Sequence, residues 1–162
     1  MEINESVIHE ADVLIIGGGI GGCFAAMKAK EAGVEKVMQL DKGHVGKSGC
    51  SAFAAGIYGA FCPDEDPYDE VFNDMLEVPG PFIVDQERLR AHLEVVWDTV
   101  KEMEGYGVEL ERTEDGEVER HIGRGQVKNV MFHGPQMMEV LARRARSLGI
   151  ERFNKTMMTD LL

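Results

Sequence analysis

The sequence has few cysteines, no long apolar run and no excess of positive charge. Its three cysteines (Cys23, Cys50 and Cys62) form no CxxC pair, which argues against a zinc or iron–sulfur site on this chain and against a disulfide framework. No stretch reaches the roughly 18 consecutive apolar residues of a membrane-spanning helix. The formal net charge of −12 disfavours non-specific binding to nucleic acid, because the phosphates would be repelled.

The acidic amino terminus, "MEINESVIHE", has no basic segment followed by an apolar one, so a secretory signal is not expected. A reducing compartment is the default for a chain without a disulfide framework. We therefore expect a cytoplasmic protein that reaches a membrane, if at all, through a partner protein. Its 162 residues, 44% of them hydrophobic, are enough for one globular domain with a substantial core.

A strand, a glycine-rich turn, a helix and a second strand follow one another near the amino terminus. The apolar run Val13–Ile16 predicts a buried strand, and the pattern changes to that of a helix from Gly22 to a cap at Gly33. The segment "KVMQLDKG" predicts a second strand that ends at Asp41. This order is that of a βαβ unit, whose two strands are parallel.

The glycines of the turn match the G-x-G-x-x-G pattern of dinucleotide-binding proteins at Gly17, Gly19 and Gly22. The first allows a tight turn, the second lets a pyrophosphate approach the main chain, and the third lets the helix pack on the strand. Asp41 ends the next strand, where a carboxylate accepts hydrogen bonds from the adenosine ribose and disfavours the 2′-phosphate of NADP. A glycine-rich turn without a ligand is the structural alternative.

A second segment, "DKGHVGKSGCSAFAAGIYGA", follows the second strand directly. Lys42, Lys47 and Ser48 are candidate donors to a pyrophosphate, and the small residues from Gly49 to Gly56 would let a flat ring lie along the main chain. A buried loop that packs closely on the sheet is the alternative. A nicotinamide domain needs no second run of small residues, so this segment favours FAD over NAD.

The remaining chain predicts three more helices, a strand and turn within residues 105–120, and a final strand. Pro67 is expected at the first position of one helix, Asp85 is expected to cap the longest one, and the last spans residues 136–148. The apolar stripe of the longest helix comprises Leu89, Leu93, Val96, Trp97, Val100 and Met103. Asp115 and Gly116 form a predicted turn. The polar segment 119–135, with His121, Arg124 and His133, is predicted to be a solvated loop, and a loop that approaches a substrate or the flavin is the alternative.

The cysteines near the glycine turn leave two interpretations open. Cys23 falls in the first helical turn, where the helix dipole would lower its pKa, and Cys50 falls in the second segment. They are either a redox pair or, as we favour, small packing residues.

In their order, "GGGIGG", "DKG" and "KSGCSAFAAGIYGA" resemble the amino-terminal part of succinate dehydrogenase and fumarate reductase flavoprotein subunits. Adenylylsulfate reductase alpha subunits and L-aspartate oxidases belong to the same group. The resemblance implies an FAD whose pyrophosphate lies on the glycine turn, whose ribose is bound by Asp41, and whose flavin lies beside the second segment. The motifs and the resemblance together assign these cofactor-binding residues: Gly17, Gly18, Gly19, Ile20, Gly21, Gly22, Asp41, Lys42, Lys47, Ser48, Gly49, Cys50, Ser51, Ala55 and Gly56.

Three departures from the family pattern qualify this assignment. Membrane-linked members carry a histidine that bonds covalently to FAD where this chain has Gly49, and His44 is too early to replace it, so we expect non-covalent FAD. Asp41 stands where the family has Glu. The capping domain and the substrate-binding residues of the family come from segments beyond position 162, so we assign no catalytic residue and no metal ligand.

We therefore expect an α/β chain, a Rossmann-like FAD-binding domain of the glutathione-reductase type that is incomplete and spans residues 1–162 without a capping domain. The expected function is that of a fumarate reductase-like or succinate dehydrogenase-like oxidoreductase, which is inactive as this chain alone. The expected partners are the rest of the flavoprotein or a complementing subunit, together with an iron–sulfur electron-transfer subunit. The alternatives are an adenylylsulfate reductase-like flavoprotein, an NAD-binding domain and a non-catalytic flavin-binding subunit.

Overall fold

The computed structural model describes residues 7–78, 80 and 83–161. In chain order, the elements are β1 (Val13–Ile16), α1 (Ile20–Glu31), β2 (Val37–Asp41), a 3-10 turn (Cys50–Phe53), β3 (Ile57–Gly59), α2 (Tyr68–Glu77), α3 (Gln86–Gly105), β4 (Arg120–Ile122), β5 (Lys128–Met131), α4 (Gly134–Ser147) and β6 (Glu151–Asn154). They form two compact units, one made of residues up to 53 and from 141 onward, the other of residues 54–140. Among the described helices, none has the length and apolar character needed to span a membrane.

The first unit is built on a parallel sheet with the strand order β1-β2-β6. This confirms the predicted βαβ unit, and Asp41 ends β2 as expected. Helix α1 packs on one face of the sheet through Cys23, Ala26 and Met27, which are buried. The helix begins at Ile20, two residues before the predicted start, because glycines carry no apolar pattern from which a start could be read.

The opposite face of this sheet is apolar and open. Leu14 and Ile16 alternate along β1 with the residues that face α1, and each is 51% exposed. A shallow cavity of about 330 Å³ covers part of this face. Its lining comprises His9, Ala11, Leu14, Met38, Leu40, Phe153 and Thr156. Parallel sheets are normally covered on both faces, and within the described residues of this unit only one face is covered by a helix.

The second unit contains an antiparallel sheet with the order β3-β5-β4 and the helices α2 and α3. The prediction of a loop over residues 119–135 was wrong, since this segment contains β4, β5 and the start of α4, but Arg124 and His133 are exposed to solvent as predicted. These strands are only three and four residues long and carry polar side chains, so their alternation is too brief to show in the sequence. The second small-residue segment, for which no period was found, contains the 3-10 turn and β3.

The helix boundaries follow the sequence closely. Asp85 caps α3 as predicted, accepting a hydrogen bond from Arg88 N–H at 3.1 Å, and four of the six stripe residues are buried. Pro67 is the N-cap of α2 rather than its first residue. Helix α4 begins two residues before its predicted start. The turn at Gly116 is confirmed by a hydrogen bond from its N–H to the Thr113 carbonyl at 3.0 Å. Part of the connector before α3 (residues 79, 81 and 82) lies outside the described residues.

Candidate functional site

The turn between β1 and α1 presents the start of a helix whose N-cap residue supplies no side-chain cap. Gly17 has a φ of 112° and donates its N–H to the Leu40 carbonyl at 2.8 Å, which ties the turn to β2. Gly19 is the N-cap of α1, and without a side chain it cannot cap the helix itself. Ser51 Oγ accepts a hydrogen bond from Ile20 N–H at 3.3 Å, which leaves the hydroxyl proton free to be donated. A helix start of this kind favours an anion.

Asp41 is the centre of a hydrogen-bond network that joins the turn to the loop after β2. Its Oδ2 accepts from Gly18 N–H at 2.7 Å, and its Oδ1 accepts from Gly43 N–H at 2.7 Å and from the Ser48 hydroxyl at 2.8 Å. Burial raises the pKa of this carboxyl, but the hydrogen bonds from Ser48, Gly43 and Gly18, together with the nearby charge of Lys42, outweigh it, so the pKa lies below its ordinary value. Asp41 is therefore ionised, and most of the acceptor sites of its carboxylate are already used.

The loop after β2 is fastened to the glycine turn and to β6. Gly46 N–H donates to the Gly18 carbonyl at 2.9 Å, and Val45 N–H donates to Asn154 Oδ1 at 2.9 Å. A Cβ on Gly18 would lie 2.6 Å from the Cα of Val45, so the loop approaches the turn as closely as glycine allows. The Ser48 hydroxyl is engaged within the loop, where it also accepts from His44 N–H at 2.9 Å.

Gln39, a residue that the sequence analysis did not single out, contacts the turn from within the sheet. Its side chain is fully buried, and its Nε2 donates to the Gly17 carbonyl at 3.0 Å. A Cβ on Gly22 would lie 2.0 Å from the same carbonyl oxygen. The third glycine of the motif is therefore required because the Gly17 carbonyl stands where a side chain would be. The sequence shows a glutamine inside an apolar strand, which is unusual. It does not show that this side chain bonds to the Gly17 carbonyl, because that contact depends on the fold.

A cleft of about 270 Å³ opens beside Asp41 at the carboxyl end of the parallel sheet. It is lined by Ile16, Gly17, Leu40, Asp41, Lys42, Thr156, Met157 and Met158. Residues 155 and 156 run along the end of β2, since Thr156 N–H donates to the Asp41 carbonyl at 3.0 Å. Residues 156–158 were not predicted to line a site, because only the strand order β1-β2-β6 places them there and no local pattern shows it.

The structure brings the predicted residues of the turn and of the following loop together within the first unit. Lys42, Lys47, Gly49 and Cys50 are exposed there. Ala55 and Gly56 belong to the second unit, where a Cβ on Gly56 would lie 1.5 Å from a carbonyl oxygen of the chain that follows β5. The packing of the second unit therefore explains why this position is a glycine.

The cysteines of the first unit do not form a redox pair in this structure. Cys23 is fully buried, and burial raises the pKa of its thiol, contrary to the lowering by the helix dipole that we expected. Cys50 is exposed, and both thiols are free. The packing role favoured for Cys23 agrees with its burial.

The second unit holds a buried ion-pair network that the sequence analysis did not predict. The Arg120 guanidinium pairs with Asp66 and with Glu65, and it lies 5.2 Å from the centre of the Trp97 ring. Burial raises the pKa of Asp66, but hydrogen bonds from Arg120, from Cys62 N–H and from Lys128 outweigh it and hold the pKa below its ordinary value. Asp66 lies 54 residues from Arg120, so no local pattern connects them.

Two histidines considered as substrate ligands lie at or near the surface. His121 Nε2 lies within hydrogen-bond distance of Glu111 Oε2, at 2.8 Å, and both side chains are exposed to solvent, as is His133. Neither environment identifies a catalytic group.

The residues of the first unit fit an FAD by the chemistry of their donors. The glycine-capped helix start and the Ser51 hydroxyl suit a pyrophosphate. The cleft beside Asp41 combines a carboxylate, a lysine and apolar walls, which suit an adenosine. The empty space around Gly21, where a Cβ would meet no atom within 4 Å, leaves room for a ligand over the first helical turn.

Comparisons with known proteins agree with this fit. The family model described as "FAD binding domain" matches residues 12–162. The chain is 34% identical over 166 residues to a fumarate reductase (CoM/CoB) subunit of Methanothermobacter marburgensis, covering 98% of this chain and 30% of that protein. It is 23% identical over 158 residues to L-aspartate oxidase of Streptomyces coelicolor, covering 94% of this chain and 27% of that protein.

Solved structures show the same fold. FrdA of E. coli quinol fumarate reductase superposes with a TM-score of 0.80 at 24% identity, over 90% of this chain and 26% of that chain. Adenylylsulfate reductase from Archaeoglobus fulgidus gives a TM-score of 0.69 at 26% identity, over 89% of this chain and 24% of that chain. The chain thus spans less than a third of the length of these relatives. With its turn, its carboxylate and its sheet in place, the chain belongs to the FAD-binding-domain family, and its cofactor is FAD.

Proposed function

We propose that this chain is the FAD-holding segment of a flavoprotein oxidoreductase that resembles fumarate reductase and succinate dehydrogenase. The observation that carries the proposal is the turn Gly17–Gly22, a helix start with a glycine N-cap that is hydrogen-bonded to a buried carboxylate at the carboxyl end of a parallel sheet. The 34% identity to a fumarate reductase subunit supports the reaction class. In the proposed complete protein, electrons pass between a small substrate and an electron carrier.

In this proposal, the pyrophosphate of FAD lies over the first turn of α1. The main-chain N–H groups at its start and the Ser51 hydroxyl are the donors, and the exposed ammonium groups of Lys42 and Lys47 add positive charge. The adenosine occupies the cleft beside Asp41, with its base against the apolar side chains of Met157 and Met158. Gly49, Cys50, Ala55 and Gly56 remain proposed neighbours of the flavin.

Asp41 has room to accept one hydrogen bond from the ribose. A carboxylate has about four lone-pair sites, and three of them already accept from Gly18, Gly43 and Ser48. The single proton of Ser48 has two acceptors at 2.8 Å, Asp41 Oδ1 and the His44 carbonyl, and the bond to the ionised carboxylate is the stronger one. With that bond made, both sites of Oδ1 are used and the free site is on Oδ2. We therefore propose that Asp41 binds one of the two ribose hydroxyls rather than both.

We propose that the FAD is held without a covalent bond. Gly49, which occupies the position of the flavin-linked histidine in membrane-linked members, has no side chain and has a φ of 83°. A histidine there would be strained, because residues with a Cβ rarely adopt that conformation.

The proposed fold is a Rossmann-like FAD-binding domain of the glutathione-reductase type, which the open face of the parallel sheet leaves incomplete. Leu14 and Ile16 on that face require a cover, and the relatives have more than two thirds of their length outside the matched part. We propose that the cover comes from a complementing subunit or from the rest of the flavoprotein. An iron–sulfur subunit is the proposed electron-transfer partner, and the cytoplasm is the proposed location.

When bound, FAD supplies the hydride and electron chemistry. The residues of this chain hold its pyrophosphate, orient its adenosine and keep the glycine turn in place. No residue of this chain is assigned a proton-transfer role, so we propose that catalysis requires further polypeptide. An adenylylsulfate reductase-like flavoprotein is the second candidate, favoured by Gly49 and by the structural match to that enzyme.

The test begins with the visible spectrum of the purified chain after incubation with FAD and gel filtration. We expect the chain to retain flavin absorbance after gel filtration. We expect acid precipitation to release the FAD into the supernatant. Yellow colour in the precipitate would contradict non-covalent binding. A colourless chain that binds NAD would contradict the assignment to FAD. Fumarate and adenylylsulfate reduction by the full-length protein, each with a reduced viologen as donor, separates the two candidate reactions.

A further inference from the structure

The peptide unit between Gly17 and Gly18 is held at both of its polar groups by side chains of β2. Gln39 Nε2 donates to the Gly17 carbonyl at 3.0 Å, and Asp41 Oδ2 accepts from Gly18 N–H at 2.7 Å. The carbonyl and the N–H belong to one planar peptide, so the two side chains fix a single rigid group. They can do so because residues two apart in a strand point to the same face.

Gln39 is not explained by the stability of the sheet. It is fully buried between the apolar residues Met38 and Leu40, and its Oε1 has no hydrogen-bond partner among the described residues. An unpaired buried acceptor is destabilising, and a methionine of similar size would avoid it. A buried glutamine at this position therefore suggests a role for its amide group, which contacts the turn.

The next carbonyl along the turn is occupied as well. The Gly18 carbonyl accepts from Gly46 N–H at 2.9 Å, so two successive carbonyls point to protein donors. Glycine on both sides of the peptide would otherwise let it rotate easily. A carbonyl turned toward the pyrophosphate would place partial negative charge beside an anion.

We propose that Gln39 is a positioning residue for the cofactor: together with Asp41 it locks the Gly17–Gly18 peptide, so that its carbonyl stays in the interior and the N–H groups of the helix start face the pyrophosphate. This inference rests on the proposed binding of FAD at the turn. It assigns to Asp41 a second role, in addition to its contact with the ribose.

The test compares Gln39→Met with Val37→Ala, a control in the same strand and on the same face that does not contact the turn. In Gln39→Met, the unpaired Oε1 disappears while the Gly17 carbonyl loses its partner, so the number of unpaired acceptors is unchanged. We expect the melting temperature of the apo chain to fall no further than in the control. We expect FAD affinity, measured by quenching of flavin fluorescence, to fall about fivefold in Gln39→Met only, the loss of one hydrogen bond. Equal affinity in wild type and Gln39→Met, or losses of affinity that follow the melting temperatures, would overturn the proposal.

Amide hydrogen exchange of Gly18 in the apo chain tests the lock without FAD. We expect faster exchange at Gly18 in Gln39→Met than in wild type or Val37→Ala, because the freed peptide leaves the Asp41 carboxylate more often. An unchanged exchange rate at Gly18 would contradict the proposal that Gln39 helps to fix the peptide, even if FAD affinity fell. If wild type bound no FAD, the proposed function would fail, while the exchange measurement would still decide whether Gln39 fixes the peptide.

Discussion

Replacing Gly22 with alanine should destabilise the first unit, although the same change one residue earlier should stabilise it. Both positions lie in the first turn of α1, so both gain helix propensity, about 1 kcal/mol for glycine to alanine. At Gly21 the new Cβ meets no atom within 4 Å. At Gly22 it would lie 2.0 Å from the oxygen and 2.9 Å from the carbon of the Gly17 carbonyl. It would also lie 3.2 Å from Gln39 Nε2, so the two variants differ in contacts with the Gly17 carbonyl and with the side chain that donates to it.

The magnitude at Gly22 follows from what must move. The Gly17 carbonyl must shift by more than an ångström, which breaks its hydrogen bond from Gln39. Overpacking costs about 1–3 kcal/mol and the lost hydrogen bond about 1 kcal/mol, against about 1 kcal/mol gained in propensity. The net destabilisation is about 1–3 kcal/mol, and the difference between the two variants is about 2–4 kcal/mol.

The assay must report on the first unit. Trp97, the only tryptophan, lies in the second unit, so its fluorescence is unsuitable. Hydrogen exchange of amides in β2 and α1, measured in the apo chain, gives the free energy of opening of the first unit directly. Equal protection in Gly21→Ala and Gly22→Ala would refute the claim that the third glycine is required by the Gly17 carbonyl.

The other predictions concern both units. Asp66→Asn should destabilise the second unit by about 3 kcal/mol, because it leaves the buried Arg120 without its main partner; Trp97 fluorescence during urea unfolding measures this. The pKa of Asp66 is lower in the folded state than in the unfolded state, so its contribution to the free energy of unfolding is complete above about pH 4 and is lost as the pH falls through the folded pKa. The loss of stability in acid should therefore be weaker in Asp66→Asn. Of the 2′-deoxy and 3′-deoxy adenosine analogues of FAD, one should bind about fivefold more weakly and the other like FAD; equal losses for both would contradict the single free acceptor of Asp41. Gly56→Ala should unfold the second unit or destabilise it by more than about 3 kcal/mol, since its Cβ would overlap a carbonyl and its φ is 81°; a stable variant in circular dichroism melts would contradict this.

The sequence predicted those parts of the fold that depend on strong local signals. A continuous apolar run followed by glycines located β1 and the turn, and a helix cap located the start of α3 at Asp85. Both signals act within a few residues and are independent of the rest of the chain. The strands β4 and β5 lack such signals because they are short and half-buried, and they exist through their pairing with each other and with β3.

The candidate site was predicted only in part, for the same reason. The glycines and Asp41 form a pattern of fixed spacing, whereas the partners of Asp41 come from three places in the chain. Residues 156–158 enter the cleft because β6 pairs with β2, a fact of strand order that local periodicity does not contain. Gln39 was visible as a polar residue in an apolar strand, but its role depends on the position of the Gly17 carbonyl.

The aspartate at position 41 connects these observations. Its short side chain places the carboxylate 2.7 Å from both Gly18 N–H and Gly43 N–H, so it holds the turn and the following loop at once. A glutamate, one methylene longer, could not keep its carboxylate at both of these distances unless the turn or the loop shifted. In the proposed site, the shorter acid thus holds the turn at the expense of contact with the ribose. The affinity for the adenosine must then come to a greater extent from Lys42 and from the apolar walls that Met157 and Met158 supply.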